Sequence, residues 1–299
     1  MAKRFVVVDG NSVFHRAYHA IPYLSTKNGD TVNAVYGFCS IILKIIADIK
    51  PDKLVVAFDR AAPTFRHIEF EAYKGQRSAP PEDLYPQLPL VKDFLDLADI
   101  KYFELDGYEA DDLIATIVSS VEKQSDDEIF IVSGDRDGLQ LVNKRIRVWA
   151  AGSKVTEGIV FDEEKVKERY GVTPEQMVTY KSLVGDSSDN IPGVNGVGPK
   201  GATDLILRFN DLETIYNNLD EIKGSLRQKL ELGKDQAYQA RSLVILDRNA
   251  PIKFDLNDIP AEINWNGIHD FFHSLEFKSL IAKLPSEIIQ KKDYQERML

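Results

Sequence analysis

Four short runs of β-branched and aromatic residues, each closing on carboxylates and separated by stretches of helical periodicity, constrain this chain more than any other feature. Phe5-Val-Val-Val8 is followed at once by Asp9, and Lys53-Leu-Val-Val-Ala-Phe58 delivers Asp59. Residues 102–105 lead into Glu109, Asp111 and Asp112, and Glu128-Ile-Phe-Ile-Val-Ser133 ends in Gly134-Asp-Arg-Asp137. Uninterrupted apolar runs of this kind suit strands buried on both faces. Between them, residues 31–49 place Val35, Phe38, Ile42, Ile45 and Ile46 on one helical face, and Leu113, Ile114, Ile117, Val118 and Val121 do the same after Asp112. Strands alternating with helices predict right-handed crossovers and a mostly parallel sheet, whose strand C-termini share one edge. The expected class is therefore α/β, with seven carboxylates converging where open α/β sheets bind ligands.

Gly107-Tyr-Glu-Ala-Asp-Asp112 carries the densest part of that cluster. At roughly 100° per residue, Glu109 and Asp112 share a helix face while Asp111 points away, so all three converge only if Glu109 lies on the approach to the helix. Like charges in one site raise each other's pKa unless a cation neutralises them, which points to a hard, oxygen-preferring metal such as Mg²⁺. Acids in a first turn also meet the helix macrodipole favourably, and that reading accounts for one or two of the three. An aspartyl-nucleophile phosphatase would need a second Asp two residues after Asp9, where Asn11 stands. Asp135 to Gly138 lacks the glycine spacing and terminal Glu of a calcium-binding loop.

The formal charge of −10 argues against a wholly basic nucleic-acid module, yet net charge describes the average surface and not one groove. Residues 60–83 interleave Arg66, His67, Tyr73, Lys74 and Arg77 with Phe65 and Phe70 before a Pro80-Pro81 stop. Cations neutralise phosphates and rings stack on unpaired bases, so this segment suits a single strand passing over the acidic edge; a solvated surface helix fits the composition equally well. Arg16, Tyr18 and His19 extend the same surface. One cysteine, Cys39, excludes an internal disulfide and a cysteine-based zinc site, and the five histidines show no metal-ligand spacing. Four residues precede the first apolar run and no stretch approaches the length of a bilayer span, so a cytoplasmic protein without membrane contact is expected.

The pattern changes after Trp149. A short β-like return is expected near 155–161, then helices over 163–170 and 174–183, with a soft boundary at 165. Gly185-Asp-Ser-Ser-Asp-Asn-Ile-Pro-Gly193 adds Asp186 and Asp189, bringing the acids to nine. Residues 196–201 satisfy G-x-G-x-x-G, but no strand precedes them and the dinucleotide fingerprint fails in context. Gly193, Gly196 and Gly198 can instead offer backbone N–H groups to one phosphate, with Lys200 as a nearby point charge. Further helices are expected over 202–209, 212–218, 224–233 and 234–246, and one apolar helix over 268–284.

These residues resemble the 5′-nuclease (flap endonuclease-like) family, in particular the bacterial 5′→3′ exonucleases, over roughly residues 4–285. The likeness rests on Val8-Asp-Gly-Asn-Ser12, Phe58-Asp59, Glu71-Ala-Tyr-Lys-Gly-Gln-Arg77, Tyr108-Glu-Ala-Asp-Asp112, Ser133-Gly-Asp-Arg-Asp137, Gly185-Asp-Ser-Ser-Asp-Asn-Ile-Pro-Gly193 and Gly196-Val-Gly-Pro-Lys200. Arg136 stands where the family usually has Lys, and Asn195 where Pro is frequent. The resemblance implies a PIN-like nuclease core over residues 1–165 with a helical arch at about 60–90. A smaller helical domain with a helix-hairpin-helix element over 166–285 and a charged tail over 286–299 follow.

It implies that Asp9, Asp59, Glu109, Asp111 and Asp112 gather around one Mg²⁺, with Mn²⁺ as a substitute, and that Asp135, Asp137, Asp186 and Asp189 serve a second ion. Lys74 and Arg77 become catalytic cations on the arch, and Tyr73 stacks on a terminal base. Arg16, Arg66, Tyr73, Lys74, Arg77, Gly193, Gly196, Gly198 and Lys200 become DNA contacts, with K⁺ at the glycine-rich turn. The implied substrate is DNA with 5′ ends, nicks or 5′ flaps, and the implied partner a polymerase in cis or in trans. A PIN-type ribonuclease would lack the hairpin-bearing half, and a non-catalytic DNA-binding scaffold would not need all nine acids.

Overall fold

Phe5, Val6, Val7 and Val8 are all fully buried, and they point alternately into two separate apolar cores, Phe5 and Val7 on one side and Val6 and Val8 on the other. That alternation is what a central strand covered on both faces requires. The computed structural model describes residues 3–151 and 158–291.

β1 (Arg4–Asp9) turns directly into α1 (Gly10–Ala20), which packs against α2 (Asn33–Ile49). β2 (Lys53–Phe58), α3 (Phe65–Glu69), α4 (Leu88–Leu97), β3 (Lys101–Glu104), α5 (Ala110–Gln124) and β4 (Glu128–Ser133) follow. β5 (Ile146–Ala151) and β6 (Gly158–Phe161) complete a six-stranded sheet in the order β3-β2-β1-β4-β5-β6. The first five strands pair in parallel and β6 is antiparallel to β5; residues 155–157 of the expected return strand lie outside the described residues. The strand order reverses between β1 and β4, and the crevice beyond the C-terminal ends at such a switch point is the natural ligand site.

The second half is helical: α6 (Glu163–Tyr170), α7 (Met177–Val184), the two-residue strands β7 (Gly185–Asp186) and β8 (Ile191–Pro192), α8 (Pro199–Phe209), α9 (Leu212–Asn217), α10 (Ser225–Leu232) and α11 (Lys234–Val244). The fold is thus a mostly parallel α/β core followed by a helical unit in which α7 and α8 flank the glycine-rich turn. Leu183, Val194, Leu205, Ile206 and Ile215 share one apolar core with Leu113 and Ile117 of α5, so the halves meet through buried side chains. Among the described residues no helix is long and apolar enough to cross a membrane.

The expected single helix over 268–284 is broken into α12 (Trp265–Ser274) and α13 (Lys278–Ile281). Glu276 takes a left-handed conformation (φ 58°), which ends the first helix and lets Phe277 turn inward beside Phe272. Both helices pack on the α2 and α4 side of the sheet and not among the helices that precede them. Gly267 allows the approach, since a Cβ there would sit 2.0 Å from the Leu97 carbonyl oxygen. The Phe272 ring stacks on Phe94 with centroids 5.9 Å apart and is fully buried. Phe272→Ala should therefore lower unfolding free energy by about 3–5 kcal/mol, measured by urea denaturation; a loss below 1 kcal/mol would show that α12 is peripheral.

Candidate active site

Five acids of the first half, Asp9, Asp59, Glu109, Asp111 and Asp135, reach the switch-point crevice from the end of a strand or the start of a helix. Asp9 closes β1 and caps α1, accepting the Ser12 N–H at 2.9 Å and the Ser133 hydroxyl at 2.7 Å. Asp59 follows β2 and accepts the Ala110 N–H at 2.6 Å, which ties it to the first turn of α5. Glu109 is the N-cap of α5, the approach position that convergence required, with Asp111 and Asp112 in the first turn. Asp135 follows β4 and accepts the Asp137 N–H at 3.1 Å. Asp9, Asp59, Glu109, Asp111 and Asp135 line one cavity of about 770 Å³, with Lys74, Arg77, His15 and Tyr85 on its walls.

Burial and mutual repulsion set the electrostatics. Burial pushes the Asp9 carboxyl up to about 7, with the Asp59 and Asp135 charges adding to it against the bonds from Ser12 and Ser133. Asp111 lies well above the usual carboxylate range, by burial first and then by the charges of Asp9, Asp135 and Asp137. Burial raises Asp59 as well. Such a set of hard oxygen donors, each disfavouring its neighbours' ionisation, fits a divalent cation. Among the described residues, however, no three acidic, histidine or cysteine side chains are already gathered as a ligand set. Protein cations hold Glu109, Asp112, Asp137, Asp186 and Asp189.

Four cations do this. Lys74 Nζ is 2.7 Å from Glu109 Oε1, and Arg77 is 2.6 Å from Asp189 Oδ1. Lys181 of α7 bridges Asp137 and Asp186, the latter at 2.7 Å. Burial pushes the deeper Asp137 up to about 7 despite Lys181, whereas for the more exposed Asp186 the contacts from Lys181 and Ser188 outweigh burial and hold it at about 2. Lys181 was not anticipated, although it is the only charged residue of α7, which is a readable signal. Arg66, the fourth, binds Asp112 through two contacts of 2.7 and 2.8 Å.

Several expected roles change accordingly. Asp112, expected beside a first ion, is fully buried, and both its oxygens are taken by Arg66 and by the N–H groups of Glu109 and Asp247, so it offers no lone pair to the crevice. Asp189 is 3% exposed and is held by Arg77, by the Tyr73 hydroxyl at 3.2 Å and by Lys74 at 3.8 Å. Arg66 is 1% exposed and cannot touch DNA. Tyr73 is 3% exposed with its hydroxyl on Glu109, so its ring has no face for a base.

The segment expected as an arch over 60–90 contains only the five-residue α3 before turns at 71–76, because Arg66 and Tyr73 find buried partners that pull it down. Lys74 N–H donates to the Asp189 carbonyl, and the Asn190 side chain to the Ala72 carbonyl, which closes the segment onto the β7–β8 turn. Arg77 stays half exposed at the crevice mouth, and Arg16 lies half-buried on α1.

At the glycine-rich turn, Gly193 serves packing, since a Cβ there would come within 2.3 Å of the Val184 carbonyl carbon. Gly196, Gly198 and Lys200 are exposed at the N-terminus of α8. One carbonyl of the turn at which K⁺ was expected, that of Gly196, accepts the Lys229 ammonium at 3.0 Å.

An acidic crevice at the switch point of a mostly parallel sheet, backed by a helical half with a glycine-rich turn between two helices, is the PIN-like arrangement that the motifs led one to expect. Residues 4–171 match the family model described as the 5′-3′ exonuclease N-terminal resolvase-like domain, and residues 172–266 that of the 5′-3′ exonuclease C-terminal SAM fold. The chain belongs to the 5′-3′ exonuclease family. It is 42% identical over 299 residues to DNA polymerase I of Caldicellulosiruptor bescii, covering 98% of this chain and 35% of the relative. It is 41% identical over 284 residues to DNA polymerase I of Bacillus subtilis, covering 94% and 32%.

The chain thus spans about a third of the length of the curated relatives it matches. Its fold is similar to bacteriophage T5 flap endonuclease in complex with DNA and metal ions, at a TM-score of 0.70 and 22% identity over 82% of this chain and 90% of that one. It is also similar to the catalytic core of Rad2 in complex with DNA substrate, at 0.56 and 18% over 92% and 87%.

Because the folded-state pKa of Asp9 lies above its unfolded value, the metal-free fold binds the extra proton and loses stability as pH rises from about 4 to 7. Asp9→Asn should remove that loss, stabilising the protein in EDTA at pH 8 by ~2–4 kcal/mol while changing little at pH 4. Thermal unfolding at the two pH values checks it, and an Asn variant less stable at pH 8 would contradict the assignment.

Proposed function

We propose that the chain is a structure-specific 5′ nuclease, a 5′→3′ exonuclease and 5′-flap endonuclease that hydrolyses DNA phosphodiester bonds in replication and repair. The observation that carries this reading is the convergence of five carboxylates, three from strand ends and two from the start of α5, on one crevice whose wall holds Lys74 and Arg77. Asp9, Asp59, Glu109 and Asp111 would hold one divalent ion, and Asp135, Asp137 and Asp186 a second. Mg²⁺ is the natural occupant, with Mn²⁺ able to replace it. Bound there, the ions supply activation of water and stabilisation of the leaving oxygen.

The chain's own residues do the rest. Lys74 and Arg77 exchange their carboxylate partners for phosphate oxygens and offset charge that builds in the transition state. Asp9 is held in one orientation by Ser12 and Ser133, and Asp59 by the N-terminus of α5, so neither needs to reorganise as the reaction proceeds. The exposed N–H groups and lysine at Gly196 to Lys200 grip duplex phosphate without reading sequence, and a bound K⁺ there would have to displace Lys229. A polymerase, in cis or in trans, is the fitting partner for a chain spanning a third of its polymerase relatives, and the cytoplasm its fitting location.

Cleavage of a labelled 5′-flap duplex tests the reading. It should require a divalent ion and fall at least ~100-fold in Asp59→Asn and in Asp186→Ala. Cleavage in EDTA, or full activity in either variant, contradicts it. Lys200→Ala should weaken duplex binding uniformly across sequences and lower the slope of log K against log salt by about one. Fluorescence anisotropy between low and moderate salt measures this, and an unchanged slope removes Lys200 from the interface.

A further inference from the structure

Arg66 is the largest fully buried side chain among the described residues, and every one of its N–H donors is used. Nε donates to the Leu243 carbonyl at 2.7 Å, and one terminal nitrogen to Asp112 Oδ1 at 2.8 Å and the Ile245 carbonyl at 2.9 Å. The other terminal nitrogen donates to Asp112 Oδ2 at 2.7 Å and Glu109 Oε2 at 3.4 Å. A guanidinium has five donors in a rigid fork, so this set is complete. Asp112 is equally saturated, because its oxygens also accept the N–H groups of Asp247 at 2.9 Å and Glu109 at 3.2 Å.

Three elements meet at this pair. Arg66 comes from α3, at the foot of the cationic segment; Asp112 comes from the first turn of α5; and the two carbonyls lie where α11 ends, so they present the negative end of a helix to the cation. One Glu109 oxygen faces Arg66 and the other faces Lys74 and the crevice.

We propose that Asp112 is not a metal ligand but the counterion of Arg66, and that the pair is a positioning device. It fixes the rotamer of Glu109 toward the crevice and pins the cationic segment and the end of α11 to the same point. The inference about Glu109 rests on the nuclease reading above; the pairing of Arg66 with Asp112 does not. A ligand and a counterion respond oppositely to removal. Taking one carboxylate from a repelling set relieves the metal-free fold, whereas breaking a buried, saturated ion pair leaves a charge with no partner and destabilises it.

Thermal unfolding in EDTA separates the two. Arg66→Met and the milder Asp112→Asn should each lower the midpoint by roughly 5 °C or more. The double variant Arg66→Met/Asp112→Leu should recover at least half of the summed loss, because apolar side chains replace the pair together. An Asp112→Asn midpoint equal to or above that of the unaltered chain overturns the proposal.

The second readout is Mn²⁺ binding followed by electron paramagnetic resonance, on the same double variant, whose net charge is unchanged. It should bind as many ions as the unaltered chain, with the tighter site weakened on the order of 10-fold through loss of Glu109 orientation. Loss of one bound ion assigns Asp112 to the metal, and an unaltered affinity removes the positioning role. If the unaltered chain binds no Mn²⁺ at all, the nuclease reading fails while the EDTA series still decides the pair.

Discussion

Repulsion among carboxylates forced together at one sheet edge is the constraint around which the rest of this molecule is arranged. A parallel sheet has no freedom to scatter its strand ends, so Asp9, Asp59 and Asp135 arrive on one side whatever their charge, and α5 adds Glu109 and Asp111 from its first turn. Burial makes this worse, since it raises Asp9 and Asp137 to about 7 and pushes Asp111 well above the usual carboxylate range. The chain answers with cations drawn from outside the sheet: Arg66 and Lys74 from the segment after β2, and Lys181 from α7.

Those cations explain why the two halves are bound so closely. Lys181 and its partner Asp186 belong to the helical half, yet the second partner of Lys181, Asp137, follows β4. Arg66 belongs to the α/β half, yet two of its carbonyl acceptors end α11. The apolar core runs in the same direction, from Leu113 of α5 to Leu205 and Ile215. Charge compensation and hydrophobic burial therefore act on the same contact, and a change that loosens one loosens the other. Lys74 occupies Glu109, a carboxylate that a divalent ion would neutralise, so ion binding and release of this side chain toward a phosphate would be one linked event in the nuclease proposed above.

The sheet and the placement of its acids were legible because both are local signals. Phe5 to Val8 reads as a doubly buried strand from four adjacent residues, and Asp9 must then stand at its end. Lys53–Phe58 and Glu128–Ser133 were likewise bounded correctly by composition alone. The break at Glu276 was not legible, since the apolar spacing of 268–284 continues across it and only the pull of Phe277 into the core beside Phe272 decides it. Lys181 stood out as the lone charge in an apolar helix, but nothing local named its two partners.

By itself, then, the amino-acid sequence determined the strands, the helices that cover them and the set of acids that share an edge, because periodicity and turn chemistry are carried by neighbouring residues. Only the tertiary structure decided which acids face the crevice and which are spent on arginine. Arg66 and Tyr73 read as surface cation and stacking ring, yet both are buried by partners between 36 and 179 positions away. Whether a charge is desolvated depends on what the fold brings beside it, and that is a property of the closed chain, not of any segment of it.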